Sequence, residues 1–227
     1  MDTATHAASL KLSFKNLALL EEALTHRSYI NEHKDAGKHN ERLEFLGDAV
    51  LELSATGFLF EKFPAKSEGE LTAYRAALVN TYSLAEVAGG LLMNDMLRLS
   101  RGEKRDVGRA RDVILANAFE AVVGALYLDQ GYEAADAFLH THLYTKLDSI
   151  IEKKGYQDAK SRFQEVAQDK KGITPNYKTN REDGPYHERE FTVGVYIGEK
   201  EMARGSGKSK QEAEQAAAKA GLDKTGW

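Results

Sequence analysis

Three carboxylates, Glu41, Glu44 and Asp48, are spaced so that they would meet on one side of a helix. Residues three, four and seven positions apart lie above one another on the same helical face. At neutral pH their negative charges repel one another unless a cation lies between them or water screens them. Two interpretations stay open: an oxygen-rich site for a cation, or the solvated acidic face of an ordinary amphipathic helix.

A fourth carboxylate, Glu120, occupies a position where a charge is costly. It lies in the most apolar stretch of the chain, residues 112–129, with Asn117 one turn before it. A carboxylate on such a helix must be paired, protonated or bound to a metal ion. Glu120 is therefore either a satisfied core residue or a ligand that joins the first three carboxylates.

Glu68 lies at the predicted start of another helix. Ser67 and Glu70 have the spacing of a capping box, in which the serine hydroxyl and the glutamate carboxylate each accept from the other residue's backbone amide. On spacing alone, Glu68 would complement the positive end of the helix dipole.

The elements that must position these carboxylates are helices. From about residue 14 to residue 126, apolar side chains recur every three or four positions. The helix with the first three carboxylates is predicted to end at Phe63, because Pro64 follows and the residue before a proline avoids the helical region. A last amphipathic helix is predicted from Tyr132 to about Ile151.

Between these helices, the segment from Arg98 to Arg111 is charged and contains glycine, and we call its part with the basic cluster, residues 101–111, the basic segment. Such a cluster of cations is either a solvated surface or a surface that contacts phosphates. Its cations are Arg101, Lys104, Arg105, Arg109 and Arg111.

The pattern changes after about residue 155. A helix is predicted over residues 160–170, and strands are predicted to open near Pro175, to alternate from Phe191 to Ile197, and to run from Glu201 to Arg204. An alanine-rich helix capped by Ser209 follows. The predicted order is helix, three strands, helix.

Composition and charge restrict the class of protein. The chain has 227 residues, 42% of them hydrophobic and 29% charged, and no cysteine, which favours a globular cytoplasmic protein without disulfides. Neither a signal peptide nor an apolar run long enough to span a bilayer is found, so no membrane partner is expected.

Net charge is weak evidence about a nucleic-acid partner. Residues 156–227 hold 13 Lys and Arg against 12 Asp and Glu, a net charge of +1, whereas the remainder holds 18 against 23, a net charge of −5. Any RNA binding must therefore come from individually placed side chains.

The stretch Asn40 to Ala49, supported by the block Ala116 to Ala121, resembles the signature of the ribonuclease III family. The resemblance implies an all-α endonuclease domain (1–152), a linker (153–157) and an α+β (α-β-β-β-α) double-stranded RNA-binding domain (158–227). The implied enzyme is a homodimer that uses Mg²⁺, with Mn²⁺ as a substitute. It would cleave double-stranded RNA to staggered 5′-phosphate and 3′-hydroxyl ends, in processing of ribosomal and other structured RNA precursors.

The same resemblance implies a role for each carboxylate. Glu41 and Glu68 would support the site or hold a second metal ion, and with Asp48 and Glu120 they would form the catalytic set. The implied magnesium ligands are Glu44, Asp48, Asn117 and Glu120.

Two positions leave questions for the structure. Asn117 stands where the family frequently has aspartate; its amide oxygen can still bind a metal ion, but one negative charge is lost. Phe45 interrupts the carboxylate face, and by resemblance it would plug a pocket in a second subunit. The alternative is that Phe45 belongs to the core of its own chain.

The stretch from Gly205 to Lys210, which enters the last helix, resembles the helix entry of double-stranded RNA-binding domains, where exposed amides and lysines bind phosphates. Gln211 stands where that family often has a second basic residue, which should weaken the phosphate contact. The implied RNA-binding residues are Ser161, Gln164, Gln168 and His187 in the minor grooves, with Lys208, Ser209 and Lys210 at the phosphates.

Three other functions are disfavoured. A P-loop ending at Lys208 and Ser209 would need glycine at Met202, so no nucleotide cofactor is expected. An HD-type metal phosphohydrolase needs a His-Asp dipeptide, which the sequence lacks. A non-catalytic RNA-binding protein that uses its helical part only to dimerise would not need the complete carboxylate set.

Overall fold

Two kinds of structure follow one another along the chain. The computed structural model describes residues 2–105, 107–152, 159–183 and 189–227. The chain divides into two units, Met1–Tyr156 and Gln157–Trp227. The predicted linker lies outside the described residues.

The first unit is helical, and short 3₁₀ turns lie at Glu103–Arg105 and Tyr144–Lys146. Its helices are α1 (Thr3–Ser9), α2 (Leu17–Ala23), α3 (Arg27–Glu32), α4 (Glu41–Lys62), α5 (Glu68–Leu78), α6 (Thr81–Gly90), α7 (Met93–Met96), α8 (Arg109–Gln130), α9 (Tyr132–His142) and α10 (Leu147–Glu152).

The ends of α4 and α5 follow the local chemistry of the sequence. Helix α4 ends at Lys62, directly before Phe63 and the proline. The capping box at the start of α5 is formed, because the Glu70 amide donates to the Ser67 hydroxyl at 3.3 Å and the Ser67 amide donates to the Glu70 carboxylate at 3.0 Å. Both predictions are confirmed.

The two longest helices, α4 and α8, pack with their backbones in contact. A Cβ atom built on Gly47 would lie 1.8 Å from the Glu120 carbonyl oxygen, and one built on Gly124 would lie 2.3 Å from the Leu43 carbonyl oxygen. No residue larger than glycine fits at either place without moving a helix. This close crossing brings the carboxylate face of α4 against the middle of α8.

Large apolar side chains on both helices fix the crossing. Leu51 and Leu59 on α4, and Phe119, Val122 and Leu126 on α8, are almost fully buried in the core of the first unit. Their burial stabilises each helix by about 1.5–3 kcal/mol per side chain, so the helices cannot separate without large cost.

The single helix predicted from Tyr132 to about Ile151 is wrong. Helix α9 ends at His142, a 3₁₀ turn follows, and α10 begins at Leu147. The interruption turns Tyr144 inward, where its ring stacks on Phe58 at 4.3 Å between centroids and its hydroxyl is hydrogen bonded to the Ser54 hydroxyl. Tertiary packing therefore overrides the continuous helical pattern of the sequence.

The second unit consists of two helices and a sheet. The sheet is antiparallel with strand order β1-β2-β3, so the predicted α-β-β-β-α order and the fold class are confirmed. Its elements are α11 (Ala159–Lys171), β1 (Asn176–Asp183), β2 (Glu190–Ile197), β3 (Lys200–Gly207) and α12 (Lys210–Thr225).

Strand β3 is longer than predicted. It continues past Arg204 to Gly207, which pairs with Phe191 of β2. A Cβ atom at Gly205 would lie 2.1 Å from the Ala217 amide nitrogen of α12, so this glycine lets the helix rest directly on the strand. Gly205 and Gly207, which precede the last helix in the sequence, are therefore part of the sheet.

Candidate active site and RNA-binding surface

Four predicted metal ligands lie on the facing parts of α4 and α8 where the two helices cross. Glu44 and Asp48 flank Gly47 on α4, and Asn117 and Glu120 lie one turn apart on α8. Glu44, Asn117 and Glu120 are half-buried and Asp48 is exposed, so the group opens to solvent on one side. The signal for this meeting, the pair Gly47 and Gly124, was missed by the sequence analysis.

The electrostatics of the group are unfavourable as it stands. Burial, together with the nearby charges of Asp48 and Glu44, raises the pKa of Glu120 to about 7. Burial also raises the pKa of Glu44, and the charges of Glu41 and Asp48 act in the same direction. The carboxylates therefore lie close enough to repel one another through a partly desolvated space.

Asn117 relieves part of this repulsion. A hydrogen bond between its side chain and Glu44 opposes the rise in the Glu44 pKa. The amide nitrogen is the donor in such a bond, because a carboxylate only accepts. An aspartate at this position would add a charge instead of a donor, which gives the asparagine a physical function of its own.

The residues present have the right donor chemistry for a hard divalent cation. All of their side-chain donors to a metal are oxygens, as Mg²⁺ prefers, and a cation would offset the repulsion. Among the described residues, however, no three His, Cys, Asp or Glu side chains converge closely enough to enclose a metal ion. Side chains on α4 and α8 would have to rotate to do so.

Glu41 has a different environment from Glu44. Its carboxylate forms an ion pair with the Arg27 guanidinium at 2.6 Å, and His39 lies 3.9 Å from the same oxygen. The pair is more than a third exposed on both sides, so its contribution to stability is small. Glu41 lies beside the group of carboxylates and is paired with the Arg27 guanidinium of its own chain.

Glu68 is not brought to the other carboxylates. It lies exposed in the first turn of α5, where the Thr72 hydroxyl donates to it at 3.1 Å. It lines a cavity of about 420 Å³ between α4 and α5, which we call the α4/α5 pocket. The pocket is lined by Thr56, Leu59, Phe60, Lys66, Glu68, Leu71, Thr72 and Arg75.

Phe45 projects into solvent. It is 82% exposed, so the interpretation as a core residue of its own chain is wrong. Leu53 and Phe60 are also largely exposed, and the helical period places them within one broad face of α4 together with Phe45. An exposed apolar stripe of this kind marks a surface that another molecule covers.

The predicted RNA-binding residues of the second unit are displayed on its surface. Ser161, Gln164 and Gln168 are exposed on α11, whose opposite side buries Phe163. His187 lies outside the described residues.

The entry to α12 has the predicted chemistry. The Ser209 hydroxyl accepts from the Glu212 amide at 3.1 Å, so the predicted cap is confirmed. Lys208 and Lys210 are exposed on either side of it, and the Lys210 ammonium lies 5.8 Å from the centre of the Phe191 ring. Two cations thus lie at the positive end of a 16-residue helix.

Comparison with known proteins matches both units. A family model described as "Ribonuclease-III-like" matches residues 16–147, and one described as "Double-stranded RNA binding motif" matches residues 159–224. The chain belongs to the ribonuclease III family. Family membership makes it a double-strand-specific endoribonuclease with a double-stranded RNA-binding domain, as the sequence predicts.

Curated relatives match over almost the whole chain. "Ribonuclease 3" of Bdellovibrio bacteriovorus is 45% identical over 211 residues, which are 92% of this chain and 90% of the relative. "Ribonuclease 3" of Carboxydothermus hydrogenoformans is 48% identical over 216 residues, which are 94% of this chain and 92% of the relative.

A solved structure matches the first unit. The nuclease domain of ribonuclease III from Campylobacter jejuni is 39% identical, with a TM-score of 0.58, and the match covers 63% of this chain and 97% of that one. The description of that structure refers to a region involved in dimer formation. Within the described part of the present chain, no helix is both long and apolar enough to cross a membrane.

Proposed function

We propose that this ribonuclease III cleaves duplex RNA with Mg²⁺ held by Glu44, Asp48, Asn117 and Glu120. The observation that supports the proposal is the raised pKa of Glu120, about 7, at a helix crossing where three other oxygen-bearing side chains meet. Repulsion among partly buried carboxylates destabilises a folded protein, and a bound cation removes that repulsion. Mn²⁺ offers a similar charge and coordination, so it should substitute.

The chain's own residues would prepare the site for hydrolysis. When bound, Mg²⁺ makes a water ligand more acidic for attack on phosphorus and neutralises charge on the phosphate and the leaving 3′-oxygen. Asp48, the most exposed ligand, lies on the solvent side where RNA must approach. Asn117 orients Glu44 through their hydrogen bond and keeps its amide oxygen available. The products would carry 5′-phosphate and 3′-hydroxyl ends.

The active form would be a two-fold homodimer in which Phe45 of each copy fills the α4/α5 pocket of the other. Knob and pocket lie on the same helix, since Thr56 and Phe60 line the pocket 11 and 15 residues after Phe45. That separation is roughly 17–22 Å along α4 at 1.5 Å per residue. A two-fold axis between them would allow both insertions at once.

This dimer would give Glu68 a role that it lacks in a single copy. Glu68 lines the pocket, and the residues beside Phe45 are carboxylates of the metal site. Insertion of Phe45 would therefore bring Glu68 toward Glu44 of the second copy. Two sites, each completed by the other copy, would cut the two strands of a duplex at staggered positions.

Mixing two inactive variants tests this composite site. Glu68→Ala copies mixed with Asp48→Ala copies should regain cleavage of one strand, because one site of each mixed dimer has both residues. A mixture of Asp48→Ala with Glu120→Gln should stay inactive. Asp48 and Glu120 belong to the site of the same chain, so each site of the mixed dimer lacks one of them. Absence of rescue in the first mixture would place Glu68 in the site of its own chain, and full activity of Glu68→Ala alone would place it outside catalysis.

The second unit would deliver the duplex. Ser161, Gln164, Gln168 and His187 would contact minor grooves, and Lys208 and Lys210 would bind the phosphates between them, with Ser209 fixing the helix start. We also propose that the endonuclease domain spans residues 1–152 and the RNA-binding domain spans residues 158–227, with a linker at residues 153–157 between them. The biological role would be processing of ribosomal and other structured RNA precursors in the cytoplasm.

The direct test of the reaction is incubation of the purified chain with end-labelled double-stranded RNA in Mg²⁺ or in Ca²⁺. Cleavage only in Mg²⁺, with staggered 5′-phosphate ends, is the expected result. Binding in both ions without cleavage in either would contradict the catalytic proposal and would make Asn117 the first residue to replace.

A further inference from the structure

The segment of residues 24–28 joins the carboxylate helix to the basic segment. On the side of α4, the Asn40 amide donates to the Thr25 carbonyl oxygen at 2.9 Å, and Arg27 binds Glu41 at 2.6 Å. Thr25 and Asn40 are almost fully buried. The start of the carboxylate helix is thus fixed to this segment through backbone and side chain.

On its other side, the same segment holds the chain that leads into the basic segment. Thr25 and Arg98 form an isolated parallel bridge. The Arg98 amide donates to the Leu24 carbonyl oxygen at 2.8 Å, and the His26 amide donates to the Arg98 carbonyl oxygen at 3.0 Å. The Arg98 guanidinium also lies over the Tyr29 ring, 4.5 Å from its centre.

A side-chain relay continues this attachment to Ser100. The Ser100 amide donates to the Ser28 hydroxyl oxygen at 3.1 Å, and that hydroxyl lies 2.8 Å from Nδ1 of His26. The Ser28 amide also points at Nδ1, at 3.3 Å. Because Nδ1 accepts, the pattern assigns a neutral His26 with its proton on Nε2, and the Ser28 hydroxyl hydrogen is directed to the ring.

Beyond Ser100, the basic segment is held by its backbone while its cations stay exposed. The Glu103 amide donates to the Ser100 hydroxyl at 3.2 Å, which opens the 3₁₀ turn, and the Arg101 amide donates to the Glu32 carboxylate at 3.3 Å. The side chains of Arg101, Lys104 and Arg105 are exposed, and none forms an ion pair with another described residue. These cations are available to phosphates.

We propose that Ser28, oriented by His26, is a positioning residue that holds the basic segment beside the carboxylate site, where its cations bind phosphates of the duplex. Loss of the hydroxyl would leave the half-buried Ser100 amide without its acceptor and would release the turn that follows. The inference rests on the duplex-RNA activity of the family and is independent of which metal ion the site holds.

The test compares the full-length wild type with Ser28→Ala, Ser28→Thr and Ser9→Ala in cleavage of duplex RNA at several salt concentrations. Ser28→Ala should raise KM about 3- to 10-fold, with kcat changed less than about twofold. The slope of log KM against log salt should become shallower by about 1–2, because fewer phosphates are neutralised. Ser28→Thr restores the hydroxyl and should recover both parameters.

Ser9→Ala is the matched control, because it removes an exposed hydroxyl of α1 whose one bond to a described residue is to the Thr5 carbonyl oxygen. It should behave as wild type. A Ser28→Ala variant with a lower melting temperature, reduced kcat/KM and an unchanged salt slope would overturn the proposal, since it would show a purely structural role.

A second comparison keeps the inference testable if Ser28→Ala is poorly stable. In a Lys104→Ala/Arg105→Ala background, adding Ser28→Ala should raise KM less than about twofold, because two of the three exposed cations that it positions are already gone. Full additivity of the two effects would contradict the proposal. Failure of the metal proposal would appear instead as wild-type cleavage without a divalent ion, which leaves this comparison of KM values intact.

Discussion

The carboxylate site and the RNA-binding surface present polar side chains in opposite ways. At the α4/α8 crossing, the carboxylates are partly desolvated and close together, and the pKa values of Glu44 and Glu120 are raised. On α11 and at the entry to α12, polar side chains are exposed on a small, well-packed scaffold. The first arrangement destabilises the folded chain unless a ligand binds. The second costs almost no free energy of folding, and by itself it does not indicate a function.

The difference shows where physical reasoning from residues can reach function. An electrostatic conflict such as that around Glu120 demands an explanation, and a cation supplies it. An exposed Gln164 demands none, because most surfaces are polar. Its assignment therefore depends on family membership, and it remains a prediction.

The largest expected effect comes from filling the helix crossing. Gly47→Ala should lower the free energy of unfolding by about 3 kcal/mol or more and abolish cleavage, because its Cβ would collide with the Glu120 carbonyl and push the carboxylates apart. Gly57→Ala on the same helix is the control: nothing lies within 4 Å of its Cβ, so it should be neutral or slightly stabilising. The free energy of unfolding is measured by urea denaturation, and equal losses for the two variants would refute the close helix crossing.

The next effect tests the exposed surface. Lys208→Ala/Lys210→Ala should weaken duplex binding about 10-fold at physiological salt and reduce the salt slope by about 2, without changing stability. Lys219→Ala provides the control, since Lys219 is an exposed lysine farther along α12. Affinity for duplex RNA is measured by filter binding in Ca²⁺. An equal loss of affinity for Lys219→Ala would indicate an effect of bulk charge and not a contact at particular lysines.

The smallest effect concerns stability of the metal-free chain. The folded state raises the Glu120 pKa from 4.5 to about 7, so it holds this proton more tightly than the unfolded chain. The resulting stabilisation is present below pH 4.5 and is lost as pH rises through 7. Allowing for partial exposure, wild type should lose about 1–2 kcal/mol more than Glu120→Gln between pH 4.5 and 8.

Urea denaturation in a chelator at the two pH values measures this difference. Glu52→Gln removes an exposed carboxylate from α4 and serves as the control, which should follow wild type. Identical pH dependence of wild type and Glu120→Gln would mean that Glu120 is not in conflict with its surroundings.

Local features were predictable from the sequence because they depend on neighbouring residues. The end of α4 before Pro64, the capping box at Ser67 and the cap at Ser209 need only a few residues of context. The family signature supplied the site residues themselves.

Features set by distant contacts were not predictable in this way. The meeting of Gly47 with α8, the inward turn at Tyr144 and the extension of β3 onto α12 depend on packing between separate elements. The helical pattern alone also left the exposure of Phe45 open, since it does not separate a core position from an interface; only the family resemblance favoured the interface.

The most direct test of the central claim is Mn²⁺ binding, followed by electron paramagnetic resonance, together with cleavage of duplex RNA in Mg²⁺. Wild type should bind the ion, and Glu120→Gln should bind it at least about 10-fold more weakly and cleave more than about 100-fold more slowly, while still binding duplex RNA. Unchanged Mn²⁺ affinity and cleavage in Glu120→Gln would contradict a metal site at the crossing of α4 and α8.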